Sequence, residues 1–197
     1  MPMGKIFYLM GKSSSGKDTI YKNLIEDETL SLEKIVLYTT RPIRAGEQEG
    51  VEYHFVTEAA MEQMQKSGKV IELRTYDTCF GRWHYFTADD SSVDLSAKSY
   101  IVIGTIESFL KMKEYYGKDV VVPIMIGLDD GIRLQRALDR EKGQSEPKYS
   151  EMCRRFLADE ADFSAEKKAE AGIEKEFINE SLQDCLREIQ TFIKKQL

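Results

Sequence analysis

An α/β fold is predicted: a parallel sheet core flanked by helices, with a mainly β insert and a helical hairpin. Three observations predict it. Short strands rich in Ile and Val alternate with helical patterns over most of the 197 residues, the mark of βα units around a parallel sheet. Residues 39–97 interrupt the alternation with polar and aromatic residues, alternating apolar positions and little helix. Residues 130–160 interrupt it again with five arginines around the polar turn at 143–147.

In chain order, the apolar run at 6–10 is the first strand and a helical pattern covers 17–28. A second strand is expected at 34–38. Alternation at Tyr53 and Phe55, Val70 and Glu72, and Trp83 and Tyr85 predicts a small, mainly antiparallel insert, with one helix at 57–67. Strands at 99–104, 120–127 and 175–178 follow, with helices at 106–116, 130–142, 148–170 and 181–196. The chain reads as one domain, 1–197. Its core is 1–38, 98–129 and 161–197, its insert 39–97 and its hairpin 130–160, the last two expected to stand open.

Between the first strand and first helix lies Gly11-Lys12-Ser13-Ser14-Ser15-Gly16-Lys17. A Gly-x4-Gly-Lys loop in that position is a phosphate-binding motif. The glycines let the backbone turn so that its N–H groups converge, while the helix N-terminus and Lys17 add positive charge. A glycine-serine turn with Ser15 as N-cap is the plainer alternative, and it gives no reason for the lysine. The residue after that lysine is usually Ser or Thr, which touches magnesium; here it is Asp18, followed by Thr19. Asp18 is read as a magnesium ligand and Thr19 as a phosphate contact. Asp18 as a mere charge at the helix N-terminus is the alternative.

A net charge of −6 argues against non-specific binding of nucleic acid or anionic membrane. An anionic ligand must then be held by a local basic cluster. Cys79, Cys153 and Cys185 are odd in number and lack ligand spacing, so they read as reduced thiols. No apolar run is long enough to span a bilayer, and a cytoplasmic protein is expected.

The text YTTRPIRAGEQEGVEYHF at 38–55 resembles the nucleoside-monophosphate-binding segment of guanylate kinases. Its elements are Thr39-Thr40-Arg41, Arg44-Ala45-Gly46-Glu47, Gly50 and Tyr53-His54-Phe55. The similarity runs on through Gly68-Lys69-Val70-Ile71-Glu72, Phe80-Gly81, the arginine hairpin and the late strand KEFINE. It implies ATP and Mg2+ at the phosphate loop (Gly11, Ser13, Ser14, Ser15, Gly16, Lys17, Asp18, Thr19) and GMP as acceptor. Two guanidinium forks and a phenol, from Arg41, Arg44 and Tyr53, suit a monophosphate dianion; without the surrounding match, a solvated loop is an equal reading. Glu47 either orients these arginines or is a surface charge. The resemblance further implies that Glu72 reads guanine, that Arg136, Arg140 and Arg155 are lid arginines, and that Asn179 touches adenine. Arg133 and Arg154 read as surface charges.

The chain departs from that pattern at several points. Ser14 stands for a glycine and Tyr38 for a serine, while Phe80-Gly81-Arg82 stands for Tyr-Gly-Ser. Phe80 and Arg82 are still placed against the acceptor. An Asp-x-Asp pair is absent from the aligned stretch ending in Gly104 and Thr105, with Glu107 the nearest acid. The expected activity is ATP-dependent phosphorylation of a nucleoside monophosphate. The alternatives are another phosphorylated acceptor, or an inactive module that binds phosphopeptides.

Overall fold

The computed structural model describes residues 4–78 and 81–197. Five strands form the core sheet: β1 (Ile6–Gly11), β2 (Leu32–Lys34), β7 (Ser99–Gly104), β8 (Val121–Gly127) and β9 (Glu176–Ile178). Their order is β2-β7-β1-β8-β9 and every pairing is parallel. The central strand β1 is buried throughout, which is why it reads as a continuous apolar run. Ile6, Tyr8 and Met10 face one layer with Phe109 and Met112 of α3 (Ile106–Tyr116). Phe7 and Leu9 face the other, with Ile20 and Leu24 of α1 (Lys17–Glu26) and Ile189 and Ile193 of α7 (Leu182–Gln196). Apolar layers on both faces hold the sheet rigid and fix the loop that leaves β1.

The insert is a second sheet, order β4-β3-β6-β5, from β3 (Leu37–Thr39), β4 (Tyr53–Phe55), β5 (Val70–Thr78) and β6 (Gly81–Ala88). Helix α2 (Glu58–Lys66) packs on it through Met61, which meets Phe86 and Ala88. The β5–β6 hairpin is antiparallel as expected, but β3 and β4 run parallel. The single strand expected at 34–38 divides: β2 pairs with β7 in the core, while β3 pairs with β6 in the insert. Long-range pairing divides a stretch that is uniformly β-prone.

The hairpin consists of α4 (Asp130–Lys142) and α5 (Tyr149–Asp162). The long helix expected at 148–170 stops at Phe163, and Ser164 caps a separate α6 (Ala165–Glu170) by accepting from Lys167 N–H. Both appendages touch the core. Tyr53 and Ile71 of the insert pack against the core layer, and α5 is tied to the loop after β1. Cys153 and Cys185 are free thiols; Cys79 and Phe80 lie outside the described residues. Among the described residues no helix is long and apolar enough to cross a membrane.

Candidate active site

The loop Gly11–Lys17 leaves the C-terminal end of the central strand, where open parallel sheets place ligands. A Cβ on Gly11 would come 2.9 Å from both the Ile126 carbonyl and Ser15 Oγ, closer than side chains sit. Gly16 has φ +86° and caps α1, and its missing Cβ leaves room for the Asn179 amide. That amide donates to the Ser15 carbonyl at 2.7 Å, so Asn179, buried at the end of β9, braces the loop. Ser14 adopts φ +63°, the left-handed conformation in which glycine is cheapest, which accounts for the glycine common at this position. Ser14 Oγ, Ser15 Oγ and Asn179 Oδ1 are buried without a hydrogen-bond partner among the described residues, and all three lie at this loop. Lys17 Nζ is 4.0 Å from Asp18, whose side chain is 85% exposed in the first turn of α1. Thr19 is likewise exposed there.

A network that the sequence did not reveal joins the loop to the hairpin. Arg133 reads from sequence as a surface charge, yet its side chain is 1% exposed. Its Nε donates to the Ser13 carbonyl at 3.1 Å, its Nη2 to Asp159 at 3.0 Å, and its Nη1 to Asp130. The guanidinium also lies over the Phe156 ring, 4.8 Å from the centroid. Asp159 in turn accepts the Ser13 N–H at 2.8 Å, and Lys12 donates to Glu160 at 2.6 Å. Burial pushes the Asp130 carboxyl up, but Arg133 and Lys12 outweigh it and leave it below its ordinary value. The signal was present in the helix: Arg133, Ala137 and Glu141 share one face at i, i+4 and i+8, and all three are buried. Arg133→Ala would leave three carboxylates facing one another, two of them half in solvent. We expect a loss of about 2–3 kcal/mol, read as a melting temperature lower by about 4–12 °C. A shift under about 2 °C would remove the network from any structural role.

On the insert, Arg41 is buried and its guanidinium is bidentate to Glu47, at 2.7 and 2.6 Å. It stacks on Tyr53 and Phe55, 5.1 and 5.3 Å from their centroids. Glu47 also accepts the backbone N–H of Arg44 at 2.9 Å, so it orients the Arg41 guanidinium and anchors the Arg44 backbone rather than decorating the surface. The Arg44 guanidinium lies 5.9 Å from the Trp83 ring. Hydrogen bonds from Arg41 hold the Glu47 carboxyl down at about 2, against the upward push of burial. Because the folded pKa is the lower one, this pair stabilises fully above about pH 4.5 and loses its contribution as pH falls towards 2. Melting temperatures of wild type and Glu47→Gln should therefore differ by a constant from pH 7 to 5 and converge below it. A gap unchanged down to pH 3 would disprove the assignment.

Of the remaining expected residues, Arg136 comes to the loop, with Nη1 beside Gly16. Arg140 is exposed on α4. Arg155 is exposed on α5 and held by Glu151 at 2.9 Å, and the same carboxylate holds Arg154, a surface charge as expected. Arg82 lies at the hairpin end, paired with Asp77 at 3.0 Å, and the structure does not bring it to Arg41. Glu72 is buried beside Arg74 and Thr87.

A family model described as guanylate kinase matches residues 3–116, more than half of the chain. The chain belongs to the guanylate kinase family. The guanylate kinase of Nitrosococcus oceani is 38% identical over 107 residues, which are 53% of this chain and 49% of that protein. That of Chromobacterium violaceum is 36% identical over 81 residues, 41% of this chain and 38% of the relative. The chain thus matches half or less of the length of these curated relatives. A guanylate kinase structure from Anaplasma phagocytophilum superposes with a TM-score of 0.66 at 21% identity, over 98% of this chain and 86% of that one. At that identity the likeness is one of fold.

Two departures from the guanylate kinase pattern now have physical reasons. Tyr38 donates to Asp90 at 2.7 Å and stacks on Phe86, so its hydroxyl is committed to that carboxylate. At Gly104 the space for an acid is taken: a Cβ there would overlap the Tyr8 hydroxyl and lie 2.7 Å from Ser108 Oγ. Tyr8 donates to Ser108 at 2.7 Å, and Ser108 closes the capping box of α3 with Thr105. Glu107, in the first turn of α3, lines a cavity together with Glu72 and Arg74 of β5.

Proposed function

We propose that the chain transfers the γ-phosphoryl of ATP to the phosphate of a nucleoside monophosphate, GMP being the acceptor that family membership favours. The observation that carries this is the loop Gly11–Lys17 at the end of the central strand, with three buried polar atoms around it lacking hydrogen-bond partners among the described residues. Such a cradle of backbone N–H groups, serine hydroxyls and one lysine suits a polyphosphate.

Phosphoryl transfer asks mainly for positioning and charge neutralisation. Lys17 follows the β- and γ-oxygens, and Asn179 keeps the loop in shape through Ser15. Arg41, Arg44 and Tyr53 fix the acceptor phosphate, with Glu47 setting the direction of the Arg41 guanidinium. Arg136 reaches the transferring group from α4, while Arg140 and Arg155 require the hairpin to move inward. Among the described residues no cluster of three metal-ligating side chains exists. Magnesium needs only one or two carboxylates beside phosphate oxygens and water, and the exposed Asp18 fits that demand. The ion would neutralise phosphate charge there.

A coupled assay tests the reading: ADP should form with GMP and ATP, and not with AMP, UMP or CMP. Absence of ADP with every monophosphate would overturn it.

A further inference from the structure

Two donors converge on one oxygen beside the phosphate loop. Asp159 Oδ2 accepts the Ser13 N–H at 2.8 Å and Arg133 Nη2 at 3.0 Å. The carboxylate comes from α5 and its side chain is 13% exposed, while the guanidinium comes from α4 and is closed off from solvent. Arg133 does not depend on Asp159 for its place. Its Nε donates to the Ser13 carbonyl at 3.1 Å and its Nη1 to Asp130. Were α5 to withdraw, both of those bonds would remain, and Nη2 and the Ser13 N–H would still face one point. A backbone N–H of a phosphate loop and a fixed guanidinium are the donors that phosphate oxygens take. Here a side-chain carboxylate fills that place, an anion offering the same kind of acceptor.

We propose that Asp159 is a built-in competitor for the terminal phosphate of ATP, and that Arg133 becomes a further ligand of that phosphate once the carboxylate leaves. This rests on the reading of the loop as the ATP site given above. The N-terminus of α1 serves the inner phosphates. Ser13 is on the opposite limb of the loop, against the hairpin, so the outermost phosphate is the one that comes to it. Two anions cannot share the two donors. ATP therefore expels the Asp159 carboxylate into solvent, and the rest of that turn of α5 goes with it: Phe156 leaves the Arg133 guanidinium and Glu160 leaves Lys12. ADP ends one phosphate earlier and leaves the contact closed. A ligand that binds only the opened form is weakened by the fraction of molecules that are open. The opening thus cancels most of what the terminal phosphate's own contacts add.

The test is calorimetric binding of ADP and of a non-hydrolysable ATP analogue, with magnesium, to the whole chain as wild type and as Asp159→Asn. Two charge-assisted hydrogen bonds in an empty site would favour the analogue by about tenfold or more. In the wild type the analogue should instead bind no more than about fivefold tighter than ADP, and a larger preference overturns the proposal. Asp159→Asn keeps the shape and an acceptor for the Ser13 N–H but loses the charge, and neutral hydrogen bonds are about half as strong. The analogue should then bind at least about fivefold tighter than it does to wild type, with ADP changed by less than about twofold. A purely structural carboxylate gives the opposite sign, because its loss loosens the loop and weakens both nucleotides together. Weaker binding of the analogue, no change, or an equal change in both nucleotides overturns the proposal. Adding Arg133→Lys should remove the gain; if the gain persists, Arg133 is not a ligand. If Asp159→Asn does not fold, the wild-type ratio decides alone. ADP formation from ATP and GMP alongside the wrong ratios fails this proposal only, and the expected ratios without ADP formation fail the transfer reading only. No binding of either nucleotide fails both.

Discussion

Lys17→Ala should lower turnover by about 10³-fold, with the melting temperature within about 3 °C of wild type. The two halves of that expectation have separate causes. Among the described residues Lys17 makes no hydrogen bond that holds a neighbouring element, and its ion pair is a 4.0 Å contact with the exposed Asp18. Surface contacts of that kind contribute about 0–1 kcal/mol, so folding should hardly notice the loss. The reaction should notice it strongly, because a fixed cation aimed at developing charge cannot be replaced by mobile water. Single-turnover measurement separates the chemical step from binding. A fall of less than about tenfold would remove Lys17 from the reacting centre.

Restoring an acid on β7 should fail. Gly104→Asp introduces a Cβ where the Tyr8 hydroxyl already sits, and puts a carboxylate beside a buried phenol. Overpacking of this sort costs about 1–3 kcal/mol and an unpaired buried charge more. We expect a total near 4 kcal/mol, which lowers the melting temperature by about 8–16 °C. Adding Tyr8→Phe removes the obstructing oxygen and should recover part of the loss, since the two positions are in contact and do not act independently. If Gly104→Asp melts like wild type, the backbone has yielded and the packing explanation is wrong.

Much of the core could be read directly from the chain. Strand β1, the loop and α1 follow from a buried apolar run meeting a glycine-lysine turn, both local signals. The division of residues 32–39 between two sheets was not local: Leu32 pairs with Ser99 and Thr39 with Tyr85, partners far along the chain. The ending of α5 had a signal, Ser164 in N-cap position, which the helical periodicity outweighed. At the candidate site, Arg41, Arg44 and Tyr53 stand out in the sequence because they sit close together along it. Arg133 and Asp159 escaped because their meeting depends on how α4 and α5 lie on the loop. The burial of Glu72 and Arg74 was not legible, because an ion pair two residues apart looks the same whether buried or solvated.

The Ser13 peptide is gripped at both ends, its N–H by Asp159 and its carbonyl by Arg133. Any swing of α5 away from the core must first release that proton to solvent. The exchange rate of one backbone amide therefore gauges how often the hairpin lets go, independently of whether a substrate has turned over.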